Sequence, residues 1–287
     1  MPEIALVTPS HRRDLARCEL LCESVDRHVT GYDKHYIIVN DGDVRIFRHL
    51  RGPQRSVLPS RKFLPAWLQR VPLVRVHNRS VFLSLRSRPL NGWHIQQLVK
   101  LSAAAKLGHE VVVIIDSDIA FIRPFDVGSV ATVPTPLHYD PGAVTVDTVD
   151  HARWLTTAYR LLGLPPLTLP ADDYIASIVT WRAETVRALL ARVEATSGMS
   201  WVAALARART IAEFMLYGAH VATDPVAAAQ HRLTTDSFSR SYWDGDALDA
   251  VGLAALVDAM EPHEVALHVQ SFGATPVSLI RAAVGLS

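Results

Sequence analysis

Apolar residues are densest at Val111-Val112-Val113-Ile114-Ile115, five consecutive β-branched side chains. A run of this kind predicts a strand buried on both faces, as found inside α/β sheets. Shorter runs open the chain. Residues 4–8 predict a strand stopped by Pro9 and Ser10, and residues 36–39 a second, ending in Asn40-Asp41-Gly42-Asp43. Between them Leu15, Cys18, Leu21, Cys22 and Val25 recur at helical spacing, which predicts a helix over residues 14–29. Residues 51–72 hold Pro53, Pro59, Pro65 and Pro72 and read as an irregular excursion. A third strand is expected at residues 73–76 and a helix at 93–107, just before the long apolar run.

Strands alternating with helices over the first 125 residues predict an α/β fold with a mostly parallel central sheet flanked by helices. Beyond it, helices are expected at 152–162, 183–195, 201–208 and 247–259, with strands at 174–180 and 265–269. No repeat or linker-like stretch separates the halves. One continuous domain over residues 1–287 is therefore expected, with a nucleotide-binding half at 1–125 and a more variable half at 126–287.

Composition narrows the classes. With 49% hydrophobic and 20% charged residues, the chain has the makings of a packed core. A net charge of +1 gives no sign of a nucleic-acid partner. The arginines between Arg45 and Arg88 read as a solvated face. Cys18 and Cys22, four apart on one helix, suit core positions and not a disulfide. No run approaches the length of a membrane span, and the first residues lead into a strand without a signal-like segment, so a cytoplasmic protein is the default expectation.

Asp116-Ser117-Asp118 caps the apolar run. Two carboxylates there are costly to bury unless something positive meets them. Ligands of open α/β sheets sit at the carboxyl ends of strands. At a strand end, side chains two apart share one side, so Asp116 and Asp118 are candidate ligands of Mg²⁺ or Mn²⁺, which would bridge phosphate oxygens. A solvated turn is the plain alternative. His268, within Ala266-Leu267-His268-Val269, is either a satisfied core histidine or a further ligand of the same ion.

Trp93, Gln96, Gln97 and Lys100 share a helix face, from which Lys100 can meet a phosphate or sugar; an ordinary solvated face is the competing reading. Thr8, Ser10 and Asp41 lie in the loops after the first two strands, where a nucleotide would rest, although Asn-Asp-Gly is also plain turn chemistry. Asp172, Asp173 and Glu213 are candidate bases, with helix capping and solvent exposure as their respective alternatives.

The order of these pieces resembles the GT-A fold glycosyltransferases, which use nucleotide-sugar donors. The matching segments are Leu6-Val7-Thr8-Pro9-Ser10, Val39-Asn40-Asp41, the Gln/Lys helix and Ile114-Ile115-Asp116-Ser117-Asp118. A bacterial group of such proteins shares further patterns: Arg123-Pro124-Phe125, Tyr174 to Trp181-Arg182, Glu213 to Tyr217-Gly218, and the late His268. The resemblance implies a GT-A-like, Rossmann-type fold. It also implies that Asp118 binds the metal, Asp116 with Ser117 the metal or ribose, and that His268 completes the shell. Thr8, Ser10 and Asp41 would hold base and ribose. Residues 126–287 would bind the acceptor, with Glu213 favoured over Asp172 and Asp173 as its base. Two other classes compete. A phosphatase would carry its Asp-x-Asp after the first strand, with Thr or Ser where Ala120 stands. A sugar nucleotidyltransferase would have glycines in the loop filled here by Thr8 to Arg13. A non-catalytic nucleotide-sugar-binding protein would be expected to have lost one of Asp116, Asp118 and His268.

Overall fold

The computed structural model describes residues 2–76, 79–83 and 89–286. In chain order, the elements that frame the site begin with β1 (Ile4–Ser10), α1 (Leu15–His28), β2 (Lys34–Val39) and β3 (Arg55–Pro59). Then come α2 (Gly92–Lys106), β4 (Val111–Ile115) and β5 (Ile119–Phe121). The second half adds α3 (Val149–Leu161), β6 (Ala171–Asp173), β7 (Ile178–Arg182) and α4 (Ala183–Ser197). It closes with α5 (Glu213–Thr223), β8 (Ser239–Tyr242) and β9 (Ala266–Val269).

The fold is α/β with mixed sheets. Its largest sheet runs β7-β4-β1-β2-β3. The pairs β4–β1, β1–β2 and β2–β3 are parallel, whereas β7 lies antiparallel on β4. Strand alternation sorts the core between two faces. Ile4 and Leu6 of β1 join Val111, Val113 and Ile115 of β4 against Leu21 and Val25 of α1. Ala5, Val7, Val112 and Ile114 turn the other way, onto Leu98, Val99 and Leu101 of α2. All five residues of β4 are buried, as the uninterrupted apolar run requires. Their burial contributes on the order of 10 kcal/mol at most, which fixes the position of the turn that follows. Cys18 and Cys22 are buried free thiols packed on β2.

Two expectations are corrected. The third parallel strand is β3, inside the proline-rich stretch read as irregular; Pro59 is tolerated because β3 is an edge strand. The strand expected at residues 73–76 exists as Gln69–Val76, but it pairs antiparallel with Arg79–Leu83 in a separate sheet. The halves are also interleaved. β7 completes the main sheet, and β9 pairs antiparallel with β5 and parallel with β8.

One core network carries its own prediction. Arg55 Nε donates to His35 Nδ1 at 3.2 Å, so His35 Nε2–H donates to Thr8 Oγ1 at 3.0 Å. Burial, with a smaller push from Arg55, drives the His35 imidazolium down to about 3. The folded state therefore holds His35 neutral, while the unfolded chain binds a proton near the ordinary value. This contribution is complete above pH 6.5 and is lost as pH falls from there toward the folded value. Burial likewise lowers His94, His220 and His231. Urea unfolding at pH 7 and pH 5 is expected to show an unchanged m-value and a stability loss on the order of 2 kcal/mol across the two pH units from His35 alone. Equal midpoints at both pH values would contradict the neutral buried imidazole.

Candidate functional site

Beyond Ile115 the chain turns through Asp116, Ser117 and Asp118 into β5. Because these residues form a turn and not strand, the period of two that would place both carboxylates on one side does not apply. Each takes different partners. The Asp116 backbone N–H meets the Ser177 carbonyl at 3.4 Å, tying the turn to the segment that leads into β7.

Asp116 Oδ1 lies 2.8 Å from Lys100 Nζ, and the same ammonium lies 2.8 Å from Glu213 Oε1. Lys100 reaches the turn from α2, whose start is fixed by the Asn91 side chain accepting the His94 N–H at 2.9 Å. Glu213 is the first residue of α5, where a carboxylate suits the helix dipole. Lys100 and Glu213 are buried, while Asp116 keeps about a third of its side chain exposed. Glu213 is thus not solvent-facing. Burial alone would depress the Lys100 ammonium, but Asp116 and Glu213 outweigh it and hold the charge well above its ordinary range. The Phe214 ring also lies 4.5 Å from Nζ.

Asp118 turns toward the far end of the chain. Its Oδ2 accepts the Ser271 N–H at 2.9 Å, and its Oδ1 stands 3.5 Å from His268 Nε2. The β9–β5 register, His268 opposite Ile119, brings that imidazole alongside. Burial would push the Asp118 carboxyl up; the His268 ring and the Ser271 N–H more than offset this and hold it below the usual carboxylate range. Arg17, buried on α1, donates to the Val269 carbonyl at 2.9 Å and to that of Thr275 at 3.0 Å, which secures the segment around His268. Its guanidinium also feels the Asp118 charge.

One pair here, Asp118 and His268, has a spacing that two ligands of one hard divalent cation could take. Two ligand atoms each about 2.1 Å from one ion lie about 3.0–3.4 Å apart at right-angled to tetrahedral geometry, close to the separation of Asp118 Oδ1 and His268 Nε2. Asp116 belongs to the same turn, with its carboxylate on Lys100. Among the described residues no group of three or more His, Cys, Asp or Glu side chains is arranged to hold a metal ion.

The other predicted residues divide. Thr8 is fully buried, its hydroxyl bound by His35, so its side chain belongs to the core. Ser10 is buried where β1 ends. Asp41 is exposed and accepts the Arg61 N–H at 3.3 Å, whereas its neighbour Asp43 is buried and pairs with Arg12. Ser117 is buried and Gln96 half-buried. Gln97, on the same face as Trp93 and Lys100, is buried with neither amide atom hydrogen-bonded among the described residues. Asp172 accepts the Gly142 N–H at 3.0 Å. Asp173 is buried on β6, accepts the Ile175 N–H at 2.8 Å and binds His151 Nδ1; neither aspartate caps a helix. The sequence reading missed His151, Arg17 and the Ser271 N–H. For Arg17 the only signal was a charged residue on an otherwise apolar helix face.

Two surface hollows lie elsewhere. One, of about 350 Å³, is lined by Ala254, Val257 and Leu279; the other, of about 300 Å³, by Pro134, Arg232 and Asp236. Neither includes a predicted site residue. Among the described residues no helix is long and apolar enough to cross a membrane.

The chain belongs to a family of unknown function, DUF6492, whose model matches residues 1–283. No curated protein matches it.

Proposed function

We propose that this protein is a metal-dependent glycosyltransferase of GT-A-like architecture. It would move a sugar from a nucleoside-diphosphate sugar to a hydroxyl- or amine-bearing acceptor. The observation that carries the reading is the junction at the end of β4, where Asp116 meets Lys100, itself held by Glu213, and Asp118 meets His268. That junction lies at the carboxyl end of a strand beside β1, where the strand order reverses, the usual place for a ligand in open α/β sheets.

Asp118, His268 and the free part of Asp116 would hold Mn²⁺ or Mg²⁺. When bound, the ion would neutralise charge gathering on the leaving diphosphate. Lys100 orients Asp116. Glu213 Oε1 is committed to Lys100, so Glu213 serves to hold that ammonium more readily than to take a proton from an acceptor. Ser10 and Asp41, at the ends of β1 and β2, remain the candidates for ribose and base contacts.

A thermal-shift screen of nucleoside diphosphates with and without Mn²⁺ tests this. At a concentration about 100-fold above Kd, one diphosphate should raise Tm by several degrees only when metal is present. Asp118→Asn keeps the Ser271 contact and should fold normally but lose that shift. Absence of a metal-dependent shift with every diphosphate would sink the reading.

A further inference from the structure

A second cluster of chemistry lies outside that junction. Asp173, 6% exposed, accepts from His151 Nδ1 and is itself fixed by the Ile175 N–H. With Nδ1–H so engaged, His151 Nε2 carries the free lone pair, and about a third of the side chain is open to solvent. A buried carboxylate that sets the tautomer of a half-exposed imidazole is the arrangement a histidine base requires. The ring lies 4.9 Å from that of Trp154, which lies 5.5 Å from Trp93, itself 38% exposed. A half-buried indole, Trp154, and an exposed one, Trp93, beside a base suit the apolar faces of a sugar ring.

Two connections link this cluster to the Asp116 turn. Trp93 and Lys100 are seven residues apart on one face of α2, about 10 Å along its axis. Between them on that face is Gln97, whose buried amide is unpartnered among the described residues and would be costly to leave so. Independently, Asp173 is four residues before Ser177, whose carbonyl receives the Asp116 N–H.

We propose that His151, oriented by Asp173 and walled by Trp154 and Trp93, is the acceptor site, with a glycoside hydroxyl as its ligand. This rests on the glycosyl-transfer reading. In the step, the acceptor oxygen gives its proton to His151 Nε2 and bonds to the anomeric carbon. The bond from that carbon to the diphosphate oxygen breaks, and its electron pair leaves with the diphosphate. The imidazolium then returns the proton to water. Asp173, and more weakly Asp150, face the ring and raise its affinity for a proton against the effect of its partial burial, so transfer should increase with pH through a value above that of free histidine.

The test uses the full chain and a panel of methyl glycosides at millimolar concentration. His151 is modified with diethyl pyrocarbonate, and its carbethoxylation is followed by peptide mass spectrometry. At least one glycoside should slow modification of His151 several-fold in the wild type and not in Trp154→Ala. Asp173→Asn should alter the reactivity of His151 and leave metal-dependent diphosphate binding intact. The proposal falls if no glycoside protects His151, or if protection is undiminished in Trp154→Ala. A diphosphate shift without protection overturns this site alone. Protection without any diphosphate shift keeps a carbohydrate site and overturns the glycosyl-transfer reading.

Discussion

Lys100→Met is expected to destabilise the protein by about 3–5 kcal/mol at neutral pH, the range for removing one partner of a buried ion pair. The methionine fills similar volume, so the loss is electrostatic. It leaves Glu213 buried without its cation and Asp116 without its orienting charge. An unpartnered buried carboxylate is driven to bind a proton. The deficit should therefore be greatest at neutral pH and shrink in acid, where carboxylates are protonated. Adding Glu213→Leu to Lys100→Met should recover more than half of the loss, because the pair is then replaced by apolar groups. Urea unfolding of the four proteins forms a double-mutant cycle. A coupling near zero would mean that the contact contributes nothing. Diphosphate binding should not recover in the double variant, since Asp116 would still lack its ammonium.

That pair also shows where sequence reasoning reached and where it stopped. β4 was legible because a strand buried on both faces needs an unbroken apolar run, and the helical period placed α1 and α2 within a residue or so. Asp116 and Lys100 stood out as charges attached to such elements. Their pairing did not, because Lys100 and Glu213 are more than 100 positions apart and nothing local records a tertiary contact. Glu213 read as a candidate base with a solvent-facing position as its alternative, since one turn of α5 is apolar on every side. β3 was missed because Pro59 and the prolines around it signal irregularity, a signal that edge strands escape. His151 was missed for a different reason. It lies near the start of an amphipathic helix with ordinary polar neighbours, and its significance depends on Asp173, which reads locally as a turn or cap residue.

The segment from Asp173 to Ser177 joins both clusters, so its seat in the fold has consequences for each. That seat is set by Gly218. A methyl group there would lie 2.0 Å from Tyr174 Cγ and within 2.5 Å of two further ring atoms. The glycine exists for this contact, since its backbone is ordinary helix inside α5. Tyr174 is buried, and burial raises its phenol well above the usual range, so the ring cannot swing into water without exposing the core beneath. Gly218→Ala should therefore cost about 3 kcal/mol or more, against the gain of up to about 1 kcal/mol that alanine brings to an open helix position. Tyr174→Leu in the same chain, with a smaller side chain, should return part of the loss. The functional effect should exceed the effect on folding. Displacing Tyr174 moves Asp173 on one side and the Ser177 carbonyl on the other, so His151 reactivity and metal-dependent diphosphate binding should change together in a variant that still melts cooperatively. If only one of the two responded, the segment would not couple the sites, and the acceptor cluster would have to be positioned by α2 alone.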